Sequence, residues 1–229
     1  MQVIRPNCRA HFTQADAEFL TSTAGVRANE SIDDMLDSDM LFAALLDQPA
    51  CLRVSTHFYF YVLVRHVLLQ SGLDDRAVAD YVSEVLAEFS TAERSRRPLA
   101  EDPRPYEYVV DLLAAIQDAD EQKKFVLRAH LGNLSLFLAG VFPKHLEHRA
   151  RTRAAPELSF YESVGVSNYL AASDHPLAKR YAVAPVYQAL SESFHRTRVA
   201  LNDLSERLLF LGDDQAFGLI GEERTGSGV

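Results

Sequence analysis

STHFYFYVLVRHVLLQSG, residues 55–72, is an apolar run with an arginine and a histidine near its centre. From Phe58 to Leu69 it covers only about 12 residues, well short of the ~20 that a membrane-spanning helix needs. Periodicity does not separate a strand from a buried helix in a run that is apolar on every side, so its neighbours must be used. Gly72 stands where a helix ends, and Asp74 stands where another helix begins. We therefore predict a central buried helix.

The segment after Asp74 has the pattern of an amphipathic helix. Its apolar residues recur at intervals of three and four and form one face: Val78, Tyr81, Val82, Val85, Leu86 and Phe89. Asp80, Glu84 and Glu88 fall on the opposite stripe. Because charged side chains prefer water, we expect these carboxylates to be solvated rather than to form a paired-acid catalytic site.

Further helices are predicted on both sides of this pair. One is a short helix within residues 31–48 that is capped by Ser38 or Asp39, and another follows Pro105. A longer helix, apolar on most sides, begins near residue 121 and is ended by Pro143, and the next helix follows Pro156. The long one is predicted to be the second central helix of the fold.

The last predicted helix carries the most regular pattern in the chain. Spacings of three and four alternate over four heptads at Tyr187, Leu190, Phe194, Thr197, Leu201, Leu204, Leu208 and Leu211. Such a seam packs lengthwise against another helix. In a single domain the partner is expected within the same chain, and a homodimer or another protein partner on this helix is the alternative.

Together these patterns predict an all-α protein without β-strands. We expect residues 1–211 to form a single domain, a bundle of roughly seven to eight helices with two central apolar helices and a long C-terminal heptad-patterned helix. Residues 212–229 lose the helical period and become glycine-rich. We expect them to form a loosely ordered C-terminal tail.

The composition restricts the classes of function. With 48% hydrophobic residues among 229, the chain can bury a large core. Its formal net charge of −9 repels phosphate backbones, so nucleic acid is not an expected partner. The N-terminus lacks the layout of a secretory signal, and no membrane association is expected. Cys8 and Cys51 fit neither a disulfide scaffold nor a zinc motif, so we expect reduced thiols in a cytoplasmic protein.

Sequence motifs for common chemistry are absent. The chain contains no dinucleotide fingerprint, phosphate-binding loop, nucleophile elbow or zinc-protease motif. Glu192 and His195 form one ExxH pair, a spacing that di-iron helical bundles use in duplicate. Only one copy occurs, and its phase directs both side chains away from the seam, whereas such ligands project inward. We therefore expect no metal site, and the sequence identifies no cofactor.

Polar residues on the two apolar helices are the best candidates for a ligand site. Burying a charge or an imidazole costs several kcal/mol unless partners satisfy it, so such groups are either paired structurally or line a cavity. Arg65 is predicted to face inward and to pair with Glu162. The candidate ligand-binding residues are Arg65, His66, Arg128, His130, Asn133 and Glu162.

The segment RAHLGNLSLFLAG, residues 128–140, resembles the Gly-Asp-Leu-Ser-Gly-Gly stretch of the distal helix in haem oxygenases, which are all-α proteins of about this size. The matching positions are Gly132, Leu134 and Ser135. Asn133 replaces the acid, and Leu136 and Phe137 stand where glycines let the backbone approach the haem in that family. The resemblance thus implies a helical ligand-binding fold but does not carry haem binding over to this chain.

The strip FPKHLEHRARTRAAP, residues 142–156, concentrates basic residues around a single acid, Glu147. Most charge runs of this kind are solvated surface. On an acidic protein the strip is also a candidate docking patch for an acidic partner or a phosphorylated ligand. The candidate patch residues are Lys144, His148, Arg149, Arg151 and Arg153.

Two functions are compatible with these patterns. The first is a non-enzymatic regulatory, adaptor or assembly protein that acts through protein contacts, favoured by the missing catalytic motifs, the heptad helix and the basic strip. The second is a helical small-molecule or cofactor-binding protein, or an enzyme, with a cavity between the two apolar helices. There an arginine would hold a carboxylate or phosphate, and a histidine would act as acid or base near neutral pH.

Overall fold

The computed structural model describes residues 3–24, 31–46, 53–90, 95–99, 106, 109–153 and 155–210. Cys51, Leu211 and the predicted tail lie outside this part of the chain. Of the described residues 81% are helical and none is in a strand, which confirms the all-α class. They form eleven α-helices, more than the sequence patterns predict.

A 3₁₀ helix, Cys8–His11, precedes the α-helices, which we number in chain order. They are α1 Gln14–Ala24, α2 Ile32–Leu36, α3 Asp39–Leu45, α4 Thr56–Gln70, α5 Arg76–Phe89, α6 Val109–Asp118, α7 Glu121–Val141, α8 Pro143–Arg153, α9 Leu158–Ser173, α10 Pro176–Arg180 and α11 Ala184–Phe210. The short helix predicted with a cap at Ser38 or Asp39 is α3, whose N-cap is Ser38. The segment before it forms an additional helix, α2, which Ser31 caps in a capping box with Asp34.

The opening apolar stretch forms α4, the most deeply buried helix of the N-terminal half. The Ser55 hydroxyl accepts a hydrogen bond from the backbone N–H of Phe58 and caps the helix, and every side chain from Phe58 to Leu68 is buried. Gly72 adopts a positive φ of 73°, which turns the chain into α5. Asp75 rather than Asp74 caps α5. Helix α4 packs against α3, α5 and α11.

Helix α7 is the second apolar helix and packs against α6, α9 and α11. The predicted seam residues of α11 from Tyr187 to Leu208 are all buried, and α11 contacts α4, α7 and α9 of the same chain. Close approach between helices depends on small residues. An added Cβ at Gly132 would lie 2.8 Å from the ring of Tyr169.

Gly165 on α9 provides a test of this packing. A Cβ there would lie 2.2 Å from the ring of Phe194, which is 1% exposed and has no room to move. We expect Gly165→Ala to reduce the free energy of unfolding in urea by about 1–2 kcal/mol, although alanine is the better helix former by about 1 kcal/mol. Ser163→Ala, at an exposed position of the same helix, is the control. A Gly165→Ala protein as stable as the control would refute this close contact.

Candidate metal centre

The 3₁₀ helix Cys8–His11 packs against α4 and α5. Asp80 of α5 accepts a hydrogen bond of 2.9 Å from the backbone N–H of Arg9. The Cys8 thiol, whose pKa is raised by burial, donates to the backbone carbonyl of His57 at 3.3 Å. Asp80 is buried, so the prediction that it is solvated is wrong. Its carboxylate anchors the segment that carries His11.

Asp16 joins the same segment to the start of α4. Its carboxylate accepts hydrogen bonds from the backbone N–H and hydroxyl of Thr13 at 2.7 and 2.9 Å. It also accepts from the backbone N–H and hydroxyl of Ser55, both at 2.7 Å. Burial alone would raise the pKa of Asp16, but these hydrogen bonds lower it overall. Because Thr13 follows His11 and Ser55 precedes His57, Asp16 fixes the two histidines relative to each other.

His11, His57 and Glu84 meet where α4 begins and α5 nears its end. His57 Nε2 lies 3.6 Å from Glu84 Oε2, and His11 Nε2 lies 3.8 Å from Glu84 Oε1. The imidazole rings stack with their centroids 4.5 Å apart. One ligand atom from each residue lies within 4.8 Å of the other two. The side chain of Glu84 is 7% exposed, whereas those of His57 and His11 are 28% and 47% exposed. The carboxylate of Glu84 therefore lies at the buried bottom of the site, and the two imidazoles lie on the side that faces solvent.

Glu84 occupies an unfavourable environment for a carboxylate. Burial, reinforced by the negative charges of Glu88 and Asp80, raises the pKa of Glu84 to about 7. Among the described residues, Oε2 of Glu84 has no hydrogen-bond partner. Burial and the neighbouring His11 also lower the pKa of His57. The prediction that Glu84 is a solvated surface acid is wrong, because the N-terminal segment covers its stripe of α5.

The three donors suit a divalent transition metal. Imidazole nitrogen and carboxylate oxygen bind zinc at about 2.0–2.2 Å, so the donors of a tetrahedral ion lie roughly 3.3–3.6 Å apart. The two nitrogen to oxygen separations, 3.6 Å to Oε2 and 3.8 Å to Oε1 of Glu84, lie at or slightly above the upper end of that range. The stacked rings must open slightly for both lone pairs to meet one ion. His11 has the most exposed side chain of the three, and its Nε2 would exchange a contact of 3.3 Å with the amide nitrogen of Asn7 for the ion.

The sequence predicts no metal site here because the candidate ligands come from three separate segments without a short spacing. The feature of the sequence that could have indicated the site is the row of carboxylates on α5. These carboxylates become candidate metal ligands only when the segment that contains His11 folds over them. The ExxH residues Glu192 and His195 are exposed, as their phase predicts. His195 Nδ1 lies 3.0 Å from a carboxylate oxygen of Glu162.

Arg65 faces inward as predicted and is 1% exposed. Its predicted partner is wrong, because Glu162 lies on α9 and pairs elsewhere. Arg65 donates two hydrogen bonds of 3.0 Å to Asp37 and one of 2.5 Å to Asp74. Arg76 donates to the same Asp37 carboxylate at 2.7 and 3.2 Å. The cluster ties the turn between α2 and α3 to α4 and α5.

Asn133 lies at the centre of the bundle. The hydroxyls of Tyr81 and Tyr169 each donate to its Oδ1 at 2.8 Å, and the Tyr187 hydroxyl lies 3.5 Å from that of Tyr81. All four residues are buried, and burial raises the pKa of each tyrosine. Asn133 therefore belongs to a hydrogen-bonded group within the core.

The remaining predicted ligand residues have separate surroundings. His66 is buried and stacks on Phe42 with ring centroids 3.6 Å apart. A ring nitrogen of His130 lies 2.9 Å from the backbone carbonyl oxygen of Ser95, and Arg128 is half-buried. The described part of the structure thus does not gather the predicted ligand residues around one ligand.

The basic strip forms α8. Its exposed members are Lys144, His148, Arg151 and Arg153. Lys144 pairs with Glu206 at 3.2 Å, and Arg151 lies 4.0 Å from Glu147. Arg149 is half-buried. Such exposed pairs contribute little to stability, so the charges of the strip stay accessible to solvent.

Asp16 provides a test of how the site is held. Its side chain is buried and accepts four hydrogen bonds, so we expect Asp16→Asn to lower the free energy of unfolding by about 2 kcal/mol at pH 7. Since the folded pKa of Asp16 is lowered, the difference from the wild-type protein should shrink as the pH falls below 4. Asp118→Asn, at an exposed position, is the control in urea titrations at both pH values. Equal stability of the two variants at pH 7 would contradict the anchoring role.

No family model, curated protein or solved structure matches this chain. No single described helix is long and apolar enough to cross a membrane, although α7 and α8 meet that test of length and composition as a pair bent by 92°.

Proposed function

We propose that this protein binds one divalent transition-metal ion through His11, His57 and Glu84. The observation that carries this proposal is the carboxylate of Glu84, which is buried beside two imidazole nitrogens while one of its oxygens accepts no hydrogen bond from the described residues. A buried charge is costly unless it is paired or binds a metal. A divalent ion among these three donors would neutralise it.

A simple pairing of the histidines with Glu84 is the structural alternative. Hydrogen bonds between nitrogen and oxygen are about 2.7–3.2 Å long, whereas both separations here are 3.6 Å or more. Both separations are thus longer than hydrogen bonds, and one donor atom from each residue lies within 4.8 Å of the other two. The ties through Asp16, Asp80 and Cys8 also hold the ligand segments in place before any ion binds.

Metal titration of the purified, chelator-treated protein tests the proposal. We expect one equivalent of Zn²⁺ to bind and, at a free concentration a hundred times Kd, to add about 2.7 kcal/mol to the free energy of unfolding. For a chain of this size, that gain corresponds to a rise of roughly 5–10 °C in the melting temperature. His57→Ala should lose the effect, and His195→Ala, which removes an exposed histidine elsewhere, should keep it. Equal zinc affinity in both variants would refute the site.

The exposed basic strip on α8 supports a second function, contact with an acidic protein surface as part of a regulatory, adaptor or assembly role. Its charges contrast with a chain whose net charge is −9. We expect the purified protein to bind a poly-glutamate peptide more weakly as salt increases, and the double variant Arg151→Glu/Arg153→Glu to lose that binding. Binding that is indifferent to the double variant would exclude the strip as the docking surface.

Self-association of the protein into a homodimer through α11 is another protein contact that we propose. The buried seam of α11 is used within the chain, so a dimer would have to use its outer face, which includes the exposed Val199. Light scattering gives the molar mass directly, with 25.6 kDa for the monomer. A mass that stays at the monomer value at high protein concentration would exclude the dimer.

A further inference from the structure

The number of protein donors sets what else the ion can bind. Structural zinc sites have four protein ligands, whereas sites with three protein ligands complete the shell with solvent or substrate. Among the described residues, the group within 4.8 Å consists of His11, His57 and Glu84 only. The Cys8 thiol is close in sequence, but it donates to the carbonyl of His57 and is fully buried.

The exposure of the three ligands shows where the remaining coordination would point. Glu84 lies at the buried bottom of the site, and the two imidazoles lie on the side that faces solvent. An ion bound between Glu84 and the two imidazoles would be enclosed by protein on its inner side. On its outer side, beyond the imidazoles, it would face bulk solvent. A small molecule can approach from that direction without displacing a helix.

The charges around the site determine whether a neutral or an anionic small molecule binds the ion more readily. Asp80 and Glu88 stand four residues before and four residues after Glu84, so the three carboxylates lie on one stripe of α5. Arg9 is the nearby cation of the 3₁₀ helix, but its guanidinium pairs with Asp33 at 2.9 Å. The three carboxylates outweigh the two positive charges of a divalent ion. An anion arriving at the ion would therefore meet a net negative surrounding.

We propose that the bound metal keeps at least one exchangeable coordination position, open to solvent, which takes a small neutral oxygen or nitrogen ligand in preference to an anion. This inference rests on the proposed metal-binding function. Its consequence is that a substrate of the site would present a neutral group such as a carbonyl or an azole nitrogen, which the ion would polarise as a Lewis acid. Phosphate esters and other strongly anionic compounds are disfavoured.

Cobalt(II) is a suitable probe because it accepts the same donors as zinc and its visible absorption reports the number and type of ligands. The full-length protein is loaded with one equivalent of Co²⁺ and titrated separately with imidazole and with inorganic phosphate. We expect imidazole to change the visible bands saturably, with at least a tenfold lower apparent Kd than phosphate. The cobalt content after rapid desalting must stay constant, which shows that imidazole has joined the ion rather than removed it.

A matched variant tests the role of charge. Glu88 lies on the same stripe as Glu84 one helical turn further on and is half-buried. Glu88→Gln should improve phosphate binding to the cobalt protein roughly fivefold, since it removes one nearby negative charge. The exposed Glu157→Gln is the control and should leave phosphate binding unchanged.

The outcomes separate the two proposals. If Co²⁺ does not bind, the metal-binding function itself fails. If Co²⁺ binds but neither imidazole nor phosphate alters the bands, the ion has no exchangeable position and this inference fails alone. Phosphate binding as tight as imidazole binding, or a Glu88→Gln protein that behaves like the control, would overturn the preference for a neutral ligand.

Discussion

Glu84→Gln is expected to raise the Kd for Zn²⁺ by more than about a hundredfold while stabilising the metal-free protein at pH 8. The amide keeps the shape of the side chain but removes the anionic ligand, so the ion loses its only charged donor among the three. The substitution also removes a buried carboxylate, one oxygen of which has no hydrogen-bond partner in the described residues. We expect the metal-free variant to gain about 1–2 kcal/mol in the free energy of unfolding.

The gain should depend on pH in a defined direction. The pKa of Glu84 in the folded protein is raised to about 7, so folding favours the protonated carboxyl. That contribution to stability is complete below the unfolded pKa of about 4.3 and is lost as the pH rises through the folded value. The advantage of Glu84→Gln should therefore be largest at pH 8 and nearly absent at pH 4.5. Urea titrations of the chelator-treated proteins measure it.

Glu192→Gln is the matched control, because Glu192 is exposed on α11. It should change neither zinc binding nor stability. A Glu84→Gln protein that loses several kcal/mol at pH 8 without metal would show that the carboxylate is a structural partner of the histidines. Such a result would favour the ion-pair alternative over the metal site.

Arg65→Met is expected to cost the fold about 2–4 kcal/mol in free energy of unfolding. The guanidinium is 1% exposed and holds both Asp37 and Asp74. After the change, Asp74 can turn to water because its side chain is already 75% exposed, whereas Asp37 keeps Arg76 as its one cationic partner among the described residues. The loss should therefore lie at the lower end of the range known for breaking buried ion pairs.

The exposed Arg151→Met is the control and should alter stability by less than about 0.5 kcal/mol. Because the Arg65 cluster lies at the far end of α4 from His57, zinc affinity should be nearly the same in both variants. An Arg65→Met protein as stable as the wild type would contradict the burial of this cluster. A large loss of zinc affinity in a folded Arg65→Met protein would contradict the independence of the two sites.

Much of the fold follows from local pattern. The uninterrupted apolar run of α4, the amphipathic period of α5 and the seam of α11 each predict a helix that the structure contains. Caps and breaks set the ends, as at Ser55 and Gly72. The number of helices is less predictable, because α2 and α10 have only five residues each and α1 and α8 bury few apolar residues.

The candidate site is less predictable for a different physical reason. Helical period tells which stripe of α5 carries carboxylates, but not which segment covers that stripe. Covering by the 3₁₀ helix changes Asp80 and Glu84 from solvated surface groups into an anchor and a candidate ligand. The sequence also did not indicate the partner of Arg65, because Asp37 lies in a turn that has no periodic pattern of its own. Contacts between segments distant in sequence determine both outcomes.

Anomalous diffraction at the zinc edge, from crystals of the protein with one equivalent of zinc, locates the bound ion directly. We expect one strong peak about 2.0–2.2 Å from Nε2 of His11, Nε2 of His57 and a carboxylate oxygen of Glu84. A peak at the exposed histidines of α8 with none at these three residues, or no ordered peak at all, would contradict it.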